Sequence, residues 1–127
     1  MPYLIDGCNL LGELGWLGEY GKDRDLIEQV LFSFKKKWNK KLIVFFDNAD
    51  FNSYEENNFV INGIRVFYCQ KDFKDADTAI LEFIKNNPHK SGIVLVTSDR
   101  ELQAQAKEDG CRLMKTKDFL SFIDISP

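Results

Sequence analysis

The sequence holds a single histidine, His89, among 127 residues. It lies in NPHKSG, just before the apolar run GIVLVTS, and Asp99 stands past the other end of that run. At a strand rise near 3.3 Å per residue, roughly 20 Å separates the imidazole from that acid. That distance speaks against Cys–His or Ser–His catalysis centred on the pole of Asp99. Cysteine is also scarce: Cys8, Cys69 and Cys111 are odd in number and far apart. They form neither a disulfide ladder nor a zinc pattern, and they suit reduced thiols in a cytoplasm. No apolar run approaches the ~18 residues of a membrane-spanning helix. The opening MPYLIDGCNLL has no basic segment and no small-residue cleavage site, so no secretory signal is expected. GxGxxG and GxxxxGK[ST] are missing, which removes the usual phosphate-cradling loops. Positive charge is in deficit: 17 Lys and Arg against 20 Asp and Glu leave a net charge of −3. That excludes a broad electrostatic grip on nucleic acid.

What is present is an ordinary globular composition, 44% hydrophobic and 29% charged. A single domain over residues 1–127 is expected, because a second would have almost no core. PYLID (2–6), LIVFFD (42–47) and GIVLVTS (92–98) are apolar runs of buried-strand type. Residues 64–69 follow an Asn-Gly turn and carry another strand signal, and CRLMK (111–115) a short one. Helical spacing marks 24–38, 75–87, 99–110 and 117–123. Residues 10–22, with glycines at 12, 15, 18 and 21, read as a loop or a broken helix. Strands alternating with helices, with strand cores apolar on both faces, predict a three-layer α/β/α sandwich. Its central sheet would be mostly parallel, with about five strands.

The acids gather where such a sheet binds ligands, at the carboxyl ends of its strands. Asp6 and Asp47 end two of the apolar runs, Asp99 follows a third, and Asp75 and Asp77 open the helix after the 64–69 strand. Strand ends about 4.8 Å apart let carboxylates converge. Ionised carboxylates in one pocket repel unless some protonate or a cation joins them. An all-carboxylate, all-oxygen donor set suits Mg²⁺ or Mn²⁺ rather than zinc. Such a centre favours metal-dependent hydrolysis of a phosphodiester. Structural duties compete for each acid. Ser98-Asp99-Arg100-Glu101 fits a capping box with Ser98 as the cap, Asp75 can cap its helix, and Asp47 can open a turn. One helix has one N-cap, so capping does not account for both Asp75 and Asp77. Asp6 has the weakest structural explanation, and Gly7 beside it permits a close backbone approach.

IDGCNLL (5–11), VFFD (44–47), DADTAI (75–80) and VTSDRELQAQAKEDG (96–110) resemble, in order and spacing, the YacP-like branch of the NYN-domain proteins in the PIN-like nuclease superfamily. The resemblance runs over nearly the whole chain, and the DG-x-N and TSDREL segments are its most specific parts. It implies an α/β/α fold and a divalent-metal-dependent endoribonuclease. It also implies a metal site formed by Asp6, Asp47, Asp77 and Asp99, with Asn9 in support. Cys8 stands where the family usually carries Tyr, and a thiol cannot stack on a base. On this reading Asp6, Asp77 and Asp99 are the leading ligands, and Asp47 is a ligand or positions water. Asp75 either reaches the metal through water or caps its helix. Asn9 fixes a carboxylate or a phosphate oxygen through its amide, or caps the segment that follows. Ser98 bonds the site or caps.

Arg100, Lys74 and Lys71 flank the acidic motifs and are the candidate contacts to substrate phosphates. Arg100 falls in the first turn of a helix, where a cation is disfavoured unless an acid or a phosphate partners it. The densest basic run, Lys35, Lys36, Lys37, Lys40 and Lys41, falls at the opposite pole and reads as a solvated helix end. Trp16 and Tyr20 either stack bases or pack. The expected partner is RNA, single-stranded or in a ribosome-associated context, with a protein or ribonucleoprotein supplying specificity, and no membrane. A non-catalytic RNA-binding module of the same fold is the main alternative. A phosphorylation-receiver domain is a weaker one, because Asp6-Gly7 replaces the acid pair such domains carry after their first strand.

Overall fold

Every apolar run that the sequence places on a strand is found in one sheet. The computed structural model describes residues 2–14, 29, 31–36, 40–47, 58–61, 63–69 and 76–122. The strands are β1 (Pro2–Asp6), β2 (Lys41–Asp47), β3 (Asn58–Ile61), β4 (Ile64–Cys69), β5 (Val94–Val96) and β6 (Arg112–Met114). Their order across the sheet is β3-β4-β2-β1-β5-β6. β1, β2, β4, β5 and β6 run parallel, which are the five strands expected. The addition is β3, which pairs antiparallel with β4 as a hairpin. Ile61 pairs with Ile64 at the closed end of this hairpin. Gly63 there has φ +79°, a conformation that favours glycine.

The helices are α1 (Gly7–Leu14), α2 (Ala76–Lys85), α3 (Arg100–Glu108) and α4 (Thr116–Phe122), with a 3-10 turn at Lys90–Gly92 and a helical segment over 31–36. Alternation along the strands sends side chains to two separate cores. Ile5, Val44, Phe46 and Val96 meet Leu10 and Leu11 of α1, Leu31 and Phe34, and Phe119 and Leu120 of α4. Leu4, Ile43, Phe45 and Leu95 meet Ala76, Ala79, Ile80 and Ile84 of α2 and Leu102 and Ala106 of α3. Each large apolar side chain so buried contributes about 1.5–3 kcal/mol relative to exposure. The result is the predicted α/β/α arrangement, a mostly parallel sheet covered on both faces.

Two local readings change. Residues 10–14, expected in a loop or broken helix, belong to α1, which starts directly at Gly7. Burial of Leu10 and Leu11 against the sheet outweighs the cost of Gly12 in the helix. The run 92–98 is strand only over 94–96. Gly92 closes the 3-10 turn, and Thr97 is turned to other uses although its N–H still donates to Met114 O at 3.1 Å. His89 is exposed at the amino end of β5, the pole opposite Asp99, as expected. Lys41 opens β2, and Lys35 Nζ donates to Gly63 O at 3.0 Å, so these members of the basic run serve the amino pole and its hairpin.

Candidate active site at the sheet crossover

The chain builds the sheet outward from β1 in one direction, through β2 to β4 and β3, then returns to place β5 and β6 on the other side. The carboxyl ends of β1 and β5 thus flank the crossover point, where open α/β sheets bind ligands. Asp6 ends β1 there and is 6% exposed, one of three buried polar side chains among the described residues; Thr97 and Thr116 are the others. Gly7 makes this placement possible. A Cβ on it would lie 2.4 Å from the Phe46 ring and 2.9 Å from the Phe45 carbonyl oxygen, so only glycine lets α1 start so close to β2.

Asp6 is held at both oxygens. Asn9 N–H donates to Oδ1 at 3.3 Å, and the Thr97 hydroxyl donates to Oδ2 at 3.0 Å. Thr97 Oγ1 in turn accepts from Asp99 N–H at 3.1 Å. A hydroxyl has one proton. With a lone pair of Thr97 taken by an amide, that proton is directed at the carboxylate, a charge-assisted bond. One threonine therefore spans the crossover and joins Asp6 to the backbone of Asp99.

Asp99 is the N-cap of α3: Oδ1 accepts from Glu101 N–H at 2.9 Å and Leu102 N–H at 3.1 Å. The cap expected at Ser98 is thus one residue later. Ser98 is committed elsewhere. Its N–H donates to Asn9 Oδ1 at 2.9 Å, and its Oγ accepts from Thr116 N–H at 3.2 Å. The carboxylate at the helix start also meets the positive end of the helix dipole. Among the described residues no donor reaches Asp99 Oδ2, which leaves that oxygen for a ligand.

Asn9 touches Asp6 through its backbone, not its amide. Its Oδ1 accepts from Ser98 N–H and from the Thr116 hydroxyl at 2.6 Å, so it braces α1 against the 97–99 turn and α4 instead of capping a segment. Asp77 lies half-buried in the first turn of α2, which follows β4 and so starts at the same pole. Asp47 ends β2 opposite Cys69, two residues beyond Phe45, the partner of Asp6; its side chain lies outside the described residues. Asp75, Lys71, Lys74, Trp16 and Tyr20 lie outside them as well. Arg100 is exposed at the start of α3 and has no hydrogen bond or ion pair among the described residues. Among those residues, no group of three or more Asp, Glu, His or Cys side chains is placed to hold a metal ion.

Nothing in the sequence patterns marks Thr116 or Gln103 for this site. Gln103 Nε2 donates to Thr97 O at 2.7 Å and steadies the turn from inside α3. The signal for Thr97 and Thr116 was faint. Each is a threonine one or two residues past an apolar strand, and such residues usually cap or turn.

The comparisons with known proteins agree with this architecture. No curated protein sequence matches the chain. Among solved structures, Rae1 (YacP) from Bacillus subtilis superposes with a TM-score of 0.77 at 20% identity, over 98% of this chain and 74% of that one. A single-substitution mutant of the same protein gives 0.78 at 19% identity, over 97% and 74%. At that identity the likeness is one of fold. A family model described as the YacP-like NYN domain matches residues 3–126, and the chain accordingly belongs to that family, a branch of the PIN-like nucleases.

Proposed function

We propose that the chain is a divalent-metal-dependent endoribonuclease, a cytoplasmic enzyme acting at the β1–β5 crossover. The observation that carries this reading is the Asp6–Thr97–Asp99 linkage. A buried carboxylate and the backbone N–H of the capping aspartate are both bonded to one threonine hydroxyl at the carboxyl pole of the sheet, where such folds bind ligands. Burying an acid at a strand end is costly, and a site that needs the charge explains why it is kept.

The donor chemistry fits Mg²⁺ or Mn²⁺. Asp6 offers a buried carboxylate at this pole, and Asp99 Oδ2 has no donor among the described residues. Asp6, Asp99, Asp77 and Asp47 would hold the ion, with Asp75 beside them. When bound, the ion supplies Lewis-acid polarisation of a phosphate oxygen and acidifies its water. The chain's own residues do the rest. Thr97 and Asn9 N–H keep Asp6 fixed, Asn9 and Ser98 brace the turn, and Asp99 stays anchored by its helix. Arg100, with Lys71 and Lys74, would bind backbone phosphates of the RNA. The net charge of −3 leaves little non-specific attraction, so specificity would come from a protein or ribonucleoprotein partner, such as a ribosome-associated context.

Cleavage of single-stranded RNA tests this. The expected result is endonucleolytic products with Mn²⁺ or Mg²⁺, none with EDTA, and none from Asp6→Asn. Cleavage that survives EDTA, or an Asp6→Asn variant with full activity, overturns the mechanism. RNA binding without cleavage in the presence of metal would instead mark a non-catalytic module.

A further inference from the structure

We propose that Thr116 is a positioning residue for this acid pair: from the first turn of α4 it fixes Asn9 and Ser98, so that α4 sets the geometry at Asp6 and Asp99. The inference rests on the nuclease reading of that pair. Asn9, Ser98 and Thr116 form a closed triangle. The Thr116 hydroxyl donates to Asn9 Oδ1 at 2.6 Å, Thr116 N–H donates to Ser98 Oγ at 3.2 Å, and Ser98 N–H donates to Asn9 Oδ1 at 2.9 Å. Two corners lead into the site. Asn9 N–H reaches Asp6 Oδ1, and Ser98 is followed directly by Asp99.

A purely structural threonine at this position would serve its own helix. Here Thr116 N–H, one of the orphan donors at the start of α4, is satisfied by Ser98 Oγ, and the hydroxyl turns away from its own helix. It crosses to α1, about as far away in sequence as the chain allows, and it is fully buried. Two donors on Asn9 Oδ1 use both of its lone pairs and fix the amide plane. A β-branched side chain has few rotamers, so the hydroxyl is held without help from solvent. Asn9 Nδ2, which makes no hydrogen bond among the described residues, is thereby held in one direction with two donors available for an anionic oxygen.

Thr116→Val removes the hydroxyl and keeps the shape; Thr116→Ser keeps the hydroxyl. Three measurements on the full chain separate the possibilities: hydrogen exchange of the Ser98 amide, Mn²⁺ titration followed by electron paramagnetic resonance, and kcat and KM on single-stranded RNA. The expected result for Thr116→Val is faster Ser98 exchange, by about tenfold, and a kcat lower by about tenfold or more with KM within about twofold. Thr116→Ser should restore both. If valine fails to fold, Thr116→Cys, a weak donor of similar size, takes its place with the same expectation. Wild-type exchange and kcat in the valine variant overturn the proposal, as does a serine variant as impaired as valine. If the wild-type chain neither binds Mn²⁺ nor cleaves RNA, the nuclease reading falls by itself, and the exchange comparison alone decides whether Thr116 sets the junction.

Discussion

The Thr97 hydroxyl donates to Asp6 Oδ2 across 3.0 Å, joining two positions 91 residues apart in the chain. Both residues are buried, so the bond has no ready substitute in water. Thr97→Val should leave one carboxylate oxygen of Asp6 short of a donor and Asp99 N–H short of its acceptor. The expected cost is about 1–3 kcal/mol in urea unfolding, with RNA cleavage falling further than stability does. Thr97→Ser, which keeps the hydroxyl, should recover most of both.

Asp99 caps α3 with one oxygen and has no donor on the other among the described residues, so the capping task and the proposed metal-binding task can be separated. Asn caps a helix about as well as Asp. Asp99→Asn should therefore unfold close to the wild-type midpoint yet lose RNA cleavage. Asp99→Ala should lose cleavage and about 1 kcal/mol of stability as well. Calorimetry and cleavage assays on the two variants check this, and equal melting points for both would disprove the capping account.

On the nuclease reading, divalent metal should stabilise the folded chain, because the ion would bind acids that only folding brings to one pole of the sheet. At a free ion concentration 100 times Kd the linkage is worth about 2.7 kcal/mol. For a domain of this size that is on the order of 10 °C in Tm. Thermal scans with Mn²⁺ and with EDTA measure it, and Asp6→Asn should abolish the difference.

Gly7→Ala probes the close approach of α1 to β2. The added Cβ would meet the Phe46 ring at 2.4 Å and the Phe45 carbonyl oxygen at 2.9 Å. The ring can shift and the strand backbone cannot. The expected loss is about 1–3 kcal/mol. Adding Phe46→Leu should return only part of it, since the carbonyl contact remains. Denaturant midpoints of the single and double variants read this directly.

Burial pushes the Cys111 thiol above its ordinary range, and the charge of Asp109 adds to the effect. The folded state thus holds its proton to higher pH than the unfolded state does. The contribution to stability is full below the unfolded thiol's pKa of about 8.5 and is lost as pH rises from there through the folded value. Unfolding free energies between pH 7 and 10 should fall more steeply in the wild type than in Cys111→Ala. Cys111 should also react with iodoacetamide more slowly than a free thiol at pH 8.

Much of this was legible in the sequence, and the rest fails for identifiable reasons. Unbroken apolar runs such as LIVFF located the strands, because a strand buried on both faces has no polar side to disguise it. Asp6 was conspicuous because an acid ending such a run has few structural duties. β3 escaped because four residues, NFVI, are too few for a periodic signal and the strand lies at the sheet edge. The cap moved from Ser98 to Asp99 because Ser98 is claimed by Asn9 and Thr116, partners 89 and 18 residues away. The same holds for the amide of Asn9. Local motifs describe what a polar side chain does when nothing distant competes for it, and at this crossover distant partners win.

The crossover also fixes when the site can come into being. β1 is made before β5, and the threonine that completes Asp6 follows 91 residues later. A nascent chain that has made β1 through β4 already owns one side of the sheet but has neither Thr97 nor Asp99. On the nuclease reading, the site stays incomplete during synthesis until the 97–99 turn has been made and has folded back beside β1.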